Sequence, residues 1–325
     1  MSETRIAILT RHQCRSQRFL AEGLSRMLRR LGMRGDVFLH GMRLLEGATG
    51  SKPGPTTAVR ALIDRATLAR LAAYDIFILS DTMQAFREAV DLEPLRRLSR
   101  PLLHYEVFFP GGSPYWMERL PSGALERFDA YLVVSGVHGA PPVNAENVFP
   151  IGLDLLPRQP FSSQRTQFTA LLDFARPDHE EYRSVQQRVL RRLGIDTITL
   201  EGEYSYEDIE KAYQQSCVAF VACHEAFGLP IVQLQHYGSY IASPERAWVM
   251  RHALLPPGAN YCESPDVRFT ENFCFYQDED ELAGRLEYLR AGFDPSTVRA
   301  RLLQQQPEFV EGNLAMLWEA LRRFV

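Results

Sequence analysis

At 325 residues, with 46% apolar and 23% charged positions, the chain has room for two domains of ordinary size and the composition of a soluble globular protein. It lacks an apolar run of about 18 residues, which excludes a spanning helix. The opening MSETRIAILTRHQ has too short an apolar core for a signal peptide. The net charge of −4 is unevenly spread: residues 1–100 hold 17 Arg+Lys against 10 Asp+Glu, and the remainder 19 against 30. Such an excess is too modest, and too far from any recognised module, for a nucleic-acid binder. It fits either a solvated arginine-rich face or contact with an anionic partner, including the inner leaflet of a membrane. The expected location is therefore the cytoplasm, with a peripheral membrane contact as an option. The five cysteines (14, 217, 223, 262 and 274) have neither metal-ligand nor disulfide spacing and read as buried, reduced thiols.

In chain order, RIAILT (5–10) reads as a buried strand. SQRFLAEGLSRMLRRLG (16–32) follows as a helix, with Phe19, Leu20, Leu24, Met27, Leu28 and Leu31 on one face and Gly32 at its end. Further strands are expected at 36–41, 75–81, 101–109 and 130–136. The Pro-, Ser- and Gln-rich stretch 151–167 reads as a connection. A second series then begins: strand 168–174, helix 180–193, strand 197–202, helix 205–216, strand 217–223, a helix from about 230 to 237, strand 239–243, strand 272–277 and a helix from Asp278 to Leu289. EFVEGNLAMLWEALRRFV reads as a single amphipathic helix. Strand–helix alternation implies mostly parallel sheets covered on both faces. The expected fold is α/β, with two Rossmann-like doubly wound lobes facing a cleft. Residues 1–155 would form the first lobe and 156–305 the second, with 306–325 a helix bracing the first.

The stretch HEAFGLPIVQLQHYG (224–238) carries the most chemistry. Glu225 follows a strand by two residues, at the carboxyl end where such sheets bind ligands. Gly228 permits close backbone approach, and Pro230 suits the first turn of a helix. The helix start offers N–H groups and a positive dipole end to a phosphate or a sugar. Gln233, eight residues after Glu225, can face the same ligand. Read alone, a strand–turn–helix with one acid also serves as plain scaffold.

The run EAFGLPIVQLQHYGSYIASP (225–244) resembles the donor-site motif of retaining, GT-B-fold glycosyltransferases of family 4, and FPIGLDLLP (149–157) is similar to the segment that leaves their first lobe. The likeness is specific over about 149–244 and architectural elsewhere. It implies a retaining, metal-independent transfer of a hexosyl or deoxyhexosyl unit from a nucleotide-diphosphate sugar to a glycan, lipid-linked or other hydroxyl acceptor, as in polysaccharide biosynthesis. No cofactor is expected beyond that donor. By the resemblance Glu225 holds the donor sugar, and Phe227, Gly228 and Leu229 present N–H groups to the sugar and diphosphate. Gln233 stands where the family has a ribose-binding Glu, an amide in place of a charge-assisted grip.

Arg176 matches the first basic residue of the family's diphosphate clamp; the second is missing where Glu181 stands, and Arg183 is the candidate substitute. Gly202, Glu203 and Tyr204 lie in the loop that reads the base. HYEVFFPGGSPYW (104–116) bears a weaker resemblance to bacterial rhamnosyltransferases of the same fold and makes Glu106 the candidate base toward the acceptor hydroxyl. His138 is a second candidate on that side. Where many relatives have a Gly-rich loop, TRHQCRSQ (10–17) offers Arg11 and His12 instead. The acids of DEDE (278–281) open a helix, where they favour its dipole, and read as capping residues rather than metal ligands. Two rival readings stay open: a non-catalytic protein of this fold that binds a nucleotide sugar or glycan, and a sugar-nucleotide epimerase.

Overall fold

The computed structural model describes residues 4–11, 15–40, 65–80, 92–107, 109, 122–134, 145–155, 160–172, 180–202, 204–221, 228–245 and 270–325. The chain divides into two compact units: residues 1–154 with 311–325, and residues 155–310.

Unit 1 contains β1 (Arg5–Arg11), α1 (Arg15–Arg30), β2 (Arg34–His40), α2 (Arg65–Leu71), β3 (Ile76–Ser80), α3 (Glu93–Arg96), β4 (Leu102–Glu106), β5 (Ala130–Val133) and β6 (Val148–Pro150). Its six strands pair in the order β2-β1-β3-β4-β5-β6, each pair parallel. Every residue of β3 and β4 is buried, as expected for strands covered on both faces. Ala7, Leu9, Phe77 and Leu79 share one core with Leu71 of α2 and Leu95 of α3. The alternate residues Ile6 and Ile8 face the other way, toward the side on which α1 packs. Leu20, Leu24, Met27 and Leu28 are the buried stripe of α1, all 0% exposed. Burying each stabilises the unit by about 1.5–3 kcal/mol relative to exposure.

Unit 2 contains β7 (Thr169–Leu172), α4 (Glu180–Leu193), β8 (Asp196–Thr199), α5 (Tyr206–Gln215), β9 (Val218–Phe220), α6 (Leu229–His236), β10 (Tyr240–Pro244), β11 (Phe273–Tyr276), α7 (Glu279–Ala291) and α8 (Pro295–Gln305). The strand order is β11-β10-β9-β7-β8, again all parallel. Two short helices, α9 (Glu308–Glu311) and α10 (Leu314–Leu321), complete the chain. The last of these packs on β5 and β6.

Helix α1 grips the ends of the segments that leave and re-enter unit 1. Arg26 donates to the Asp154 carboxylate at 3.1 Å and to the Asp154 carbonyl at 2.7 Å. Arg30 lies 3.6 Å from the same carboxylate and donates to the Glu311 carbonyl at 2.7 Å. Gly23 belongs to the same stripe, and a Cβ there would stand 2.9 Å from the Asp154 carbonyl oxygen.

Two expectations from the sequence need correction. The stretch 148–150, whose last two residues were read only as the start of the segment leaving the first lobe, is a sixth strand; its three residues are too few to show a period. The expected single C-terminal helix is broken into α9 and α10. Gly312 has φ of +70°, a conformation that favours glycine, and Asn313 then caps α10 by accepting from Met316 N at 3.0 Å. The sequence reading also lacked α8, which Asp294 caps by accepting from Ser296 N and Thr297 N, with Pro295 in the first turn.

Candidate functional site

In a doubly wound sheet the place to look is the carboxyl edge, where the strand order reverses. In unit 2 the reversal lies between β7 and β9, which end at Leu172 and Phe220. Glu225, Phe227 and Arg176, in the segments that follow those ends, lie outside the described residues, as do Glu203, His12 and His138. The backbone of Arg11 ends β1, while its side chain is also outside the description.

Gly228 is the N-cap of α6, in an extended conformation with φ of −131°, and Leu229 and Pro230 open the helix. Ile231 N donates back to the Gly228 carbonyl at 2.9 Å, so the expected donor array narrows to the first N–H groups. An apolar cavity lined by Phe220, Val221, Gly228, Pro230 and Ile231 lies beside this helix end. Apolar walls next to a few convergent polar groups are what a ligand site requires.

The two glutamines of α6 have different tasks. Gln233 is 6% exposed, and its Nε2 donates to the Tyr206 hydroxyl at the first residue of α5. Its amide nitrogen is thus committed to a protein partner. Gln235 is fully buried and structural. Its Nε2 donates to the Ile231 carbonyl at 3.1 Å, and its Oε1 accepts from Thr270 Oγ1 and from Asn272 Nδ2. Asn272 in turn donates to the Val298 carbonyl at 2.8 Å, tying α6 to α8. Gly238 ends this segment at φ of +89° with Pro295 packed against it.

The loop after β8 carries the remaining candidates. Gly202 has φ of +84°. The Tyr204 hydroxyl accepts from Glu201 N at 3.1 Å and donates to the Thr199 carbonyl at 3.4 Å, closing the loop on itself. Arg183, in the first turns of α4, is 7% exposed overall and reaches the Glu201 carboxylate at 3.6 Å. The Arg183–Glu201 pair, the Tyr204 loop, the Tyr206–Gln233 pair and the amino end of α6 therefore lie along one edge of the unit 2 sheet. Glu201 and Tyr206 were not expected as members. A Glu and a Tyr flanking a short loop carry no signal in sequence, because their partners lie 18 and 27 residues away.

In unit 1, Glu106 is the last residue of β4, buried and in register with Val133 of β5. Thr10 of β1 and Ser80 of β3 are paired one level inside the edge, and both are fully buried. Ser80 Oγ contacts Gln17 of α1 at 3.4–3.5 Å. That polar row on an otherwise apolar sheet face was not anticipated.

The acids of DEDE are engaged as expected of a helix start. Asp278 caps α7 by accepting from Asp280 N and Glu281 N, Glu279 pairs with Arg188, and Asp280 with Arg192. Among the described residues there is no group of three or more His, Cys, Asp or Glu placed to hold a metal ion. Nor, among them, is any helix long and apolar enough to cross a membrane. Cys217 and Cys274 are buried with free thiols, and burial pushes Cys274 up to about 11. Burial, aided by the Arg299 charge, lowers His236 to about 4.

No family model matches the sequence, and no curated protein matches it. Solved structures do. A UDP-N-acetylglucosamine 2-epimerase superposes with a TM-score of 0.55 at 12% identity, covering 100% of this chain and 97% of that one. The catalytic domain of starch synthase IV from Arabidopsis thaliana, bound to ADP and acarbose, gives 0.54 at 11% identity, covering 99% of each chain. The glycotransferase of kitacinnamycin gives 0.52 at 11% identity over 100% of both chains. The fold is GT-B. At such identities the likeness establishes the GT-B fold and leaves the chemistry to the residues.

Proposed function

We propose that this GT-B protein is a glycosyltransferase that moves a sugar from a nucleotide-diphosphate donor to a hydroxyl acceptor, with retention and without a metal ion. The observation that carries the reading is that Arg183, the Tyr204 loop, Gln233 and the amino end of α6 all belong to segments that follow the carboxyl ends of β7, β8 and β9 in the parallel sheet of unit 2. Those groups supply a cation, a loop edge for a base, a polar side chain and helix N–H groups, the set a nucleoside diphosphate calls for. The fold shared with a starch synthase bound to ADP supports a nucleotide at this edge.

In this reading unit 2 holds the donor, with Glu225 on the sugar hydroxyls and Phe227, Gly228 and Leu229 at the diphosphate. Arg176 and Arg183 neutralise the leaving group, which takes over the role a metal would have. The bond between the anomeric carbon and the phosphate oxygen breaks, the diphosphate leaves with the electron pair, and the acceptor oxygen bonds to the same face. The acceptor proton passes to Glu106. Arg11, His12 and His138 are acceptor-side candidates. A glycan or lipid-linked acceptor fits, the latter with the arginine-rich first hundred residues contacting an anionic inner membrane surface from the cytoplasm.

Transfer and donor-hydrolysis assays over a panel of nucleotide sugars test the proposal; folded protein that neither binds nor turns over any donor would refute it. Two alternatives have specific support. Commitment of the Gln233 amide to Tyr206 favours a non-catalytic binder, which calorimetry would reveal as nucleotide binding without transfer. The fold shared with an epimerase favours epimerisation, which product analysis without acceptor would detect.

A further inference from the structure

The carboxyl edge of unit 2 continues past the groups assigned above, onto β10 and β11. Glu245 directly follows β10, and Gln277 directly follows β11. Glu245 N donates to the Tyr276 carbonyl at 2.9 Å, so the parallel ladder runs on past the end of β10. In that ladder Ile241 stands opposite Phe273 and Ser243 opposite Phe275, which makes Glu245 and Gln277 the next pair in the row. Alternate residues of a strand share a face, so both side chains continue the face of Ile241. That is the face α6 covers, because Ile241 lines the same cavity as Gly228, Ile231 and Leu234. The pair therefore shares an edge and a face with the amino end of α6. Adjacent strands lie about 4.8 Å apart, and β10 is the neighbour of β9, the strand whose following segment carries Glu225.

The two side chains are joined and held from behind. Gln277 Nε2 donates to Glu245 Oε2 at 2.6 Å, and Gln277 N donates to Glu281 Oε2 at 2.9 Å. Glu281 N donates in turn to Asp278 Oδ1 at 2.9 Å, which anchors the set to the start of α7. Glu245 is half-buried and Gln277 exposed, so the pair is oriented yet open at the edge. An ionised carboxylate only accepts, and it offers about four lone-pair sites, so the Gln277 bond leaves acceptor capacity for further donors. Hydroxyl groups are such donors, and hydrogen bonds to a charged acceptor are the strong ones.

We infer that Glu245, positioned by Gln277, is a specificity-determining contact to the donor sugar, accepting from hydroxyls on the side of the ring remote from the diphosphate. The inference rests on the donor-site reading above and adds to it the residues that recognise the sugar. It gives the strand order β8-β7-β9-β10 a chemical sequence: the base at the loop after β8, the diphosphate by the amino end of α6, and the sugar between the ends of β9 and β10. A carboxylate in that place selects a neutral sugar with free hydroxyls there. Glu245 therefore contributes to the affinity of a nucleotide sugar and adds nothing to that of the nucleoside diphosphate alone.

The test is calorimetry on the full chain with UDP, ADP, GDP and dTDP and with the glucose conjugate of each, comparing wild type, Glu245→Ala, Gln277→Ala and the double variant. For whichever base binds, Glu245→Ala is expected to weaken the glucose conjugate about ten- to hundredfold, the scale of a hydrogen bond to a charged group. The free diphosphate should shift less than about twofold, since it makes no contact there. Gln277→Ala should weaken the conjugate by about three- to tenfold and have no further effect in the Glu245→Ala background, because it acts only by orienting the carboxylate. A purely structural bond between the two loops would not separate the conjugate from the diphosphate. Equal losses for both ligands in folded Glu245→Ala, or no loss for either, overturn the inference and leave the donor-site reading intact. Absence of binding by every one of these ligands in wild type overturns both.

Discussion

The Gln233 amide donates to the Tyr206 hydroxyl, joining the second turn of α6 to the first residue of α5 across 27 residues of sequence. The bond fixes which way the amide points: Nε2 toward the protein, leaving Oε1 as its acceptor end. A double-mutant cycle of Gln233→Leu and Tyr206→Phe, followed by chemical denaturation, should return a coupling of about 1 kcal/mol, the net worth of a part-buried neutral hydrogen bond. Strictly additive effects would show that the two side chains do not act together.

Glu225→Ala is expected to lower transfer by at least about a hundredfold, the lower range for loss of one positioned polar contact at the reacting sugar. Its far-ultraviolet spectrum and melting temperature should match wild type. Normal transfer by this variant would move the site elsewhere on the edge.

Gly238→Ala should destabilise unit 2 by about 2–4 kcal/mol. The residue sits at φ of +89°, and a Cβ would lie 2.5 Å from Pro295 Cβ and 2.7 Å from its carbonyl oxygen. Strain in the left-handed region and overpacking against a helix start act together here. Equilibrium denaturation measures the loss, and an unchanged midpoint would contradict the packing.

His236 predicts a pH dependence of stability. Its native pKa of about 4 lies below the ordinary value of 6.5, so the unfolded chain binds its proton first as pH falls. Its contribution is therefore fully present above about pH 6.5 and declines toward about pH 4, by roughly 3 kcal/mol in all. Denaturation at pH 7 and pH 4.5 should show a steeper fall for wild type than for His236→Gln, which has no proton to bind there. Equal slopes would mean that the imidazole is solvated in the native state.

Asp154→Ala should cost about 1–3 kcal/mol, because it strips Arg26 and Arg30 of a part-buried carboxylate. The Arg26 bond to the backbone carbonyl of residue 154 survives the substitution and limits the loss. A change below about 0.5 kcal/mol in denaturation would show the pairs to be solvent-screened.

The alternation of buried strands with amphipathic helices was legible from the sequence, because the apolar runs and the glycines that end the helices are local signals. Gly32, Gly194 and Gly238 each adopt positive φ where a helix was expected to stop. The three-residue β6 was not legible, since it is a strand only through its pairing with β5. Nor was the break at Gly312, where a good amphipathic pattern continues across a glycine placed by the approach of Met27. At the site, Arg183 and Gln233 were legible as polar residues at helix starts. Their partners Glu201 and Tyr206 were not, because an ion pair or a hydrogen bond between distant segments leaves no spacing to read.

Helix α1 holds Asp154 and Glu311 through Arg26 and Arg30, while Gln17 in its first turn contacts Ser80 at the carboxyl edge of unit 1. Sixteen residues of helix make a rod of about 24 Å. Its last turns are tied to the bridged pair Asp154 and Glu311, and its first turn to Ser80, one strand over from Glu106 in the same sheet. Substitutions at positions 154 or 311 should therefore register at Gln17, and amide exchange in the first turn of α1 is the place to look for them.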